Sequence, residues 1–309
     1  MISFLYDLTA KIKNKGIKKW SLFYKINKLI INIVYPIVNY FNSKYGLDEE
    51  SRIIISITTF PKRINSVWVT ISTLLNQRKM QPRKVILWLA ECQFPNYKLP
   101  RNLTKLIKRG LEIRYCEDLK PHKKYYYTMK EFPNDYIITV DDDMFYPENF
   151  VEMLMKGNDK YPNAIICNWA HKITFDQFGD FNKYALWKNT INELSITTVP
   201  IGCCGVLYPP NCIDKEVFNI DKMKKIALYT DDLWLKCMEI KKDIMAINVN
   251  EKGIIFFNNI RNQFSGLWKN NTVGQNRNDE VWQKLMKDYN EVNEKLKNKN
   301  YGDEKKTNG

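Results

Sequence analysis

Three adjacent carboxylates, Asp141, Asp142 and Asp143, follow directly on the apolar run Tyr136-Ile137-Ile138-Thr139-Val140. The run reads as a buried β-strand, and few strands end in three acids. Alternate side chains of an extended backbone share a face, so Asp141 and Asp143 are expected on one side and Asp142 on the other. That arrangement offers a divalent cation two or three oxygen ligands and leaves positions for substrate phosphates, which suits Mg²⁺ or Mn²⁺. The competing reading is a solvated turn, because Asp also favours turns and caps.

A second acidic pair, Asp231-Asp232, stands directly after Thr230. Thr230 could cap a helix starting at Asp231, and a carboxylate on such a rigid element could take a proton from an attacking hydroxyl. The alternative is that the two acids do no more than favour a helix N-terminus. The segment Asp118-Leu119-Lys120-Pro121-His122-Lys123-Lys124 places three lysines between a strand and a helix, where ammonium groups and N-terminal amides can together hold a diphosphate. The alternative is a merely solvated cluster. His122 and His171 are the chain's two histidines, which excludes histidine-rich metal chemistry. Val199 to Pro210 combines glycines with a short apolar run, fitting either a wall approached closely by substrate or a tight turn.

The elements that must position these residues alternate regularly. Ile53 to Ile57, Val85 to Leu89, Leu111 to Tyr115 and Tyr136 to Val140 read as strands; Val67 to Leu75, Leu99 to Lys108 and Tyr125 to Lys130 read as helices. This is the pattern of an α/β fold with a largely parallel sheet, whose ligand crevice lies at the carboxyl ends of the strands. Thr58, Arg63, Glu91, Asp118 and the three aspartates all fall at or just after such ends. Arg63 beside a metal site would suit phosphates. No G-x-x-x-x-G-K-[ST] or G-x-G-x-x-G run is present, so the P-loop and dinucleotide readings lack their glycines.

The chain has 309 residues and a formal charge of +14. Residues 1–47 hold eight lysines and one acid, a net +7 and half of the total. Apolar residues from Leu22 to Phe41 recur at helical spacing, with Pro36 expected to kink the helix. A basic helix with an apolar stripe is suited to lie on an anionic bilayer, and its strongest stretch falls short of the ~20 apolar residues that a span requires. Packing on the chain's own core is the alternative. The positive excess sits on this helix rather than among exposed aromatics, which argues against nucleic acid. Seven cysteines without framework spacing, and no signal-peptide pattern near Met1, lead us to expect reduced thiols in the cytoplasm. Cys203 and Cys204 are read as free thiols and His171 as structural. Ile260 to Asp279, rich in Asn, Gln and Gly around Trp268, is expected to be a loop that closes over a nucleotide diphosphate.

Taken in order, Ile54 to Ile64, Ile86 to Glu91, Asp118 to Tyr127, Ile137 to Asp143 and Thr230 to Trp234 resemble bacterial glycosyltransferases of the GT-A fold that build capsular, exopolysaccharide or lipopolysaccharide glycans. The resemblance spans roughly residues 51–285. It implies a GT-A, Rossmann-like sheet, and with the basic amphipathic helical extension before it the chain is expected to divide into a membrane-associating segment (1–48), a catalytic domain (49–260) and a C-terminal loop, helix and tail (261–309). It implies that Asp141-Asp142-Asp143 stands for the family's D-x-D motif, with Asp143 the principal metal ligand and Asp141 near ribose or metal. Thr58, Arg63 and Glu91 would hold base, ribose and phosphates, with Asp118, Lys124 and Asp142 beside them. Asp231 or Asp232 would be the catalytic base of an inverting, metal-dependent hexosyltransferase; the family pair is often Glu-Asp, so the choice stays open. The expected donor is a nucleotide-sugar such as a UDP-sugar, and the acceptor a growing, lipid-linked glycan at the inner face of the plasma membrane. Rival readings are a metal-dependent nucleotidyltransferase and a non-enzymatic basic module that binds membrane or nucleic acid.

Overall fold

The computed structural model describes residues 1–41, 46–96, 98–262 and 276–307. In chain order it begins with helices α1 (Ile2–Asn14) and α2 (Trp20–Phe41), then β1 (Ile53–Thr58), α3 (Val67–Leu74), β2 (Lys84–Ala90), α4 (Arg101–Ile107), β3 (Leu111–Cys116), α5 (Lys123–Glu131), β4 (Tyr136–Val140) and α6 (Phe150–Lys160). There follow β5 (Ile165–Cys167), β6 (Ala170–Lys172), β7 (Lys188–Asn189), β8 (Thr198–Pro200), β9 (Val206–Tyr208), α7 (Ile220–Ala227), α8 (Asp231–Lys241), β10 (Ala246–Asn248), α9 (Arg277–Asp288) and α10 (Asn290–Thr307).

Seven strands form one sheet in the order β10-β5-β9-β4-β1-β2-β3, and β9 alone among them runs antiparallel to its neighbours. This is the mixed, largely parallel α/β class expected from the sequence. The apolar runs are buried on both faces: Ile53, Ile55 and Ile57 enter one core and Ile54 the other, as the two-residue strand period requires. Each fully buried isoleucine contributes about 1.5–3 kcal/mol. Chain order reverses at β1, which lies between β4 and β2. The carboxyl ends of β1 and β4 therefore open the crevice where such sheets bind ligands. A smaller antiparallel sheet, β7-β6-β8, lies beside the main one.

The N-terminal segment is two helices rather than one. Gly16 adopts φ +67, a left-handed conformation that suits glycine and ends the first helix run. Helix α2 then continues through Pro36. Both helices send side chains into the main core: Ile2, Tyr6, Ile31 and Tyr35 are buried there. The Tyr6 ring stacks on Phe257 at 4.5 Å, and its hydroxyl donates to the Phe145 carbonyl at 2.6 Å. Near the other end, the segment expected to be a loop, Ile260 to Asp279, is helical at both of its described ends. Ile260–Asn262 is a turn of 3₁₀ helix and Arg277 already begins α9, while residues 263–275, including Trp268, lie outside the described residues.

Candidate active site

The end of β4 splits its acids as the strand period predicts. Asp142 turns inward and is buried, while Asp141 and Asp143 remain partly exposed. Asp142 accepts from Arg63 and from the Thr59 hydroxyl, both at 2.5 Å. The same guanidinium reaches Asp143 at 3.1 Å. The Phe60-Pro61-Lys62-Arg63 turn after β1 thus clamps the acidic segment from one side. Burial pushes the Asp143 carboxyl up to about 7, with the neighbouring Asp142 adding to the rise and Arg63 opposing it.

From the other side comes α5. Lys124 is buried, and its ammonium lies 2.7 Å from Asp141 Oδ1 and 3.0 Å from Asp231 Oδ2. The Asp231 contact is off-line for a hydrogen bond and is an ion contact only. A lysine near a helix N-terminus faces an unfavourable dipole, and burial adds to the cost. Burial alone would lower its pKa, but the surrounding carboxylates outweigh it and hold the ammonium well above its usual range.

Helix α8 opens at Asp231, as expected, but Thr230 does not cap it with its side chain; its hydroxyl turns back to the Ala227 carbonyl at 3.4 Å. Leu233 to Ile240 are all buried, so α8 is a rigid mount for the two acids at its start. Their environments differ. Burial raises Asp231, but Lys124 outweighs it and the net direction is down. Asp232 is raised well above the usual carboxylate range by burial and by the Asp231 charge. It is partly exposed and accepts from the Gly202 N–H at 3.2 Å. The two acids thus sit in different surroundings, Asp231 against the Lys124 ammonium and Asp232 against the Gly202 amide.

Gly202 permits this convergence. A Cβ there would lie 2.8 Å from Lys124 Nζ and 3.1 Å from Asp232 Oδ1, so the backbone approaches where no side chain fits. The wall expected between Val199 and Pro210 thus stands against the acids. Tyr146 ties it to β4: its hydroxyl accepts from the Asp141 N–H at 3.0 Å and donates to the Cys203 carbonyl at 2.9 Å.

Seven of the residues expected at the site meet here: Arg63, Lys124, Asp141, Asp142, Asp143, Asp231 and Asp232. Thr58, Glu91 and Asp118 lie at the carboxyl ends of β1, β2 and β3. The Thr58 hydroxyl donates to the Trp88 carbonyl at 2.9 Å, and Glu91 is exposed. Asp118 accepts from Gln93 at 2.9 Å and is engaged by Lys120 at 2.5 Å and Lys123 at 2.6 Å, and the two lysines depress it to about 2. Burial resists that fall, but the lysine contacts outweigh it. The three lysines of the 118–124 segment are thus each paired with an acid of this chain. Thr59, Tyr146 and the Gly202 amide escaped the sequence reading; Thr59 alone had a signal, four residues before Arg63. His171 packs on Tyr184 with ring centroids 5.5 Å apart.

Asp141 and Asp143 are the partly exposed acids at the end of β4 and the ones that could hold a divalent cation; Asp141 is paired with Lys124 and Asp143 with Arg63. Among the described residues no three His, Cys, Asp or Glu side chains form a ready-made cation cage. A cation here would complete its shell from substrate phosphate and water.

No protein-family model matches the chain, and no curated protein does. Solved structures overlap it partially. The S. aureus TarS 1-349 crystal structure is 10% identical with a TM-score of 0.40, covering 63% of this chain and 58% of that one. The mannosyltransferase PcManGT from Pyrobaculum calidifontis, in complex with GDP-Man and Mn²⁺, is 8% identical with a TM-score of 0.39, covering 74% and 66%. A 4-diphosphocytidyl-2C-methyl-D-erythritol synthase is 7% identical with a TM-score of 0.40, covering 66% and 92%. The chain thus spans a little over half the length of the TarS structure.

Proposed function

We propose that the chain is a glycosyltransferase that moves a sugar from a nucleotide-diphosphate sugar, UDP-linked in our reading, to a hydroxyl of a growing glycan, with inversion. One observation carries this reading: the acids at the end of β4 and the acidic pair at the start of α8 meet beside Gly202, with Lys124 in contact with both Asp141 and Asp231.

Thr58, Glu91 and Asp118 line the strand ends where base and ribose would lie. Asp141 and Asp143 would hold a divalent cation, which when bound supplies positive charge to the departing diphosphate. Arg63 and Lys124 hold the carboxylates in place through ion pairs. Asp232 accepts the proton from the acceptor hydroxyl as its oxygen bonds to the anomeric carbon and the carbon–phosphate-oxygen bond breaks. Attack from the face opposite the leaving group inverts the centre. A screen of nucleotide-sugars for slow Mn²⁺-dependent hydrolysis tests the reading. Release of nucleoside diphosphate from one donor is expected; release of pyrophosphate from a nucleoside triphosphate and a sugar phosphate would assign nucleotidyl transfer instead.

A further inference from the structure

Helix α2 is buried along one face and carries an exposed apolar stripe along the opposite one. Its inner face, Asn27, Ile31, Tyr35 and Asn39 at four-residue spacing, is buried against the body. Its outer face carries Leu22, Ile26, Leu29, Ile30, Ile33 and Ile37, all exposed, with Leu29 at 53% and Ile33 at 57%. A helix with so much apolar surface is normally covered on every side, and a contiguous apolar patch in water marks an interaction surface. No acid occurs between Trp20 and Phe41, and the exposed Lys18, Lys19 and Lys25 flank the stripe.

We propose that the outer face of α2 docks on an anionic lipid bilayer and brings the acidic site to the membrane surface. Charge selects the occupant. The stripe is bordered by lysines with no acid beside them, which anionic headgroups complement. Among the described residues no helix is long and apolar enough to cross a membrane, so α2 lies in the interface.

The helix is also wired to the site. Asn32 donates to the Asn258 carbonyl at 3.2 Å and accepts from the Ile260 N–H at 3.0 Å. Between those two residues, the Asn259 N–H donates to the Asp143 carbonyl at 2.6 Å. Docking therefore fixes the strand-end acids relative to the bilayer. If the transfer proposed above is correct, an acceptor carried on a lipid is presented to Asp232 from that surface; the docking itself does not depend on that reading.

The test is binding of the full chain to vesicles of phosphatidylglycerol and phosphatidylcholine against phosphatidylcholine alone. Wild type should bind the anionic vesicles and release them as salt rises. Leu29→Glu/Ile33→Glu and Lys18→Gln/Lys19→Gln/Lys25→Gln should each weaken binding by about tenfold or more, with unchanged unfolding temperature and unchanged donor hydrolysis in solution. Equal binding by wild type and Leu29→Glu/Ile33→Glu would overturn the proposal. So would failure to bind either vesicle, and so would a concentration-dependent dimer, lost in that variant, in a chain indifferent to lipid.

Discussion

The ammonium of Lys124 lies 2.7 Å from Asp141 Oδ1, which joins the first turn of α5 to the end of β4. The same nitrogen reaches Asp231 on α8. One buried cation thus holds together three elements and separates the two halves of the site, the strand-end acids and the acidic helix start. Removing it should leave carboxylates buried without compensation.

Lys124→Met is accordingly expected to lower stability by about 3–5 kcal/mol at neutral pH, the usual cost of breaking a buried pair from one side. The freed carboxyls would have folded pKa values above their unfolded ones, so the deficit against wild type should shrink as pH falls. Denaturant titrations of both proteins at pH 7.5 and pH 5.5, values chosen to bracket the rise at about those points, measure it; a deficit that grows on acidification would contradict the pairing.

Asp143→Asn should abolish turnover while leaving the unfolding temperature equal to or above that of wild type. The carboxyl is raised to about 7 mainly by burial and by Asp142, so its charge costs stability at neutral pH. Arg63 keeps Asp142. Retained turnover at ordinary metal concentrations, or a clear fall in melting temperature, would remove Asp143 from the metal role.

His122 offers a test of the scaffold. Its Nε2–H donates to the Ala227 carbonyl at 2.9 Å, and in the neutral ring Nδ1 accepts from the Tyr125 hydroxyl at 2.9 Å. Burial pushes it down to about 4, against the nearby Asp231. The unfolded chain binds a proton first, so this contribution to stability is present above an unfolded pKa of about 6.5 and is lost as pH falls toward 4. Asp143 and Asp232 act with the opposite sign, and the comparison with His122→Gln cancels them. The advantage of wild type over that variant should fall by up to about 3 kcal/mol between pH 7 and pH 4. A difference independent of pH would show the ring is not held neutral by the fold.

The sequence made the first half of the sheet readable because β1 to β4 are long apolar runs, and it placed Arg63 and the aspartates at their ends. Strands β5 to β10 have two or three residues each, too few to display a period. The Lys124–Asp231 contact joins residues 107 positions apart, so no local pattern could announce it. Nor could charge reveal Tyr146 or the Gly202 amide, which act through a phenol and a backbone N–H. Helix α1 was missed because only Ile2, Tyr6 and Ala10 mark its buried stripe. In α2, apolar residues of the buried and the exposed face merge into one periodic signal, and only the fold separates the face against the body from the face in water.

The division of labour between Asp231 and Asp232 is tested most directly by single-turnover sugar transfer beside calorimetric nucleotide binding for each Asn variant. Asp232→Asn should cut transfer by about 10² to 10⁴ with nucleotide affinity unchanged, because base assistance acts in the transition state. Asp231→Asn should instead loosen Lys124 and reduce stability. Transfer at the wild-type rate by Asp232→Asn would contradict the assignment and leave the acidic pair as a helix start alone.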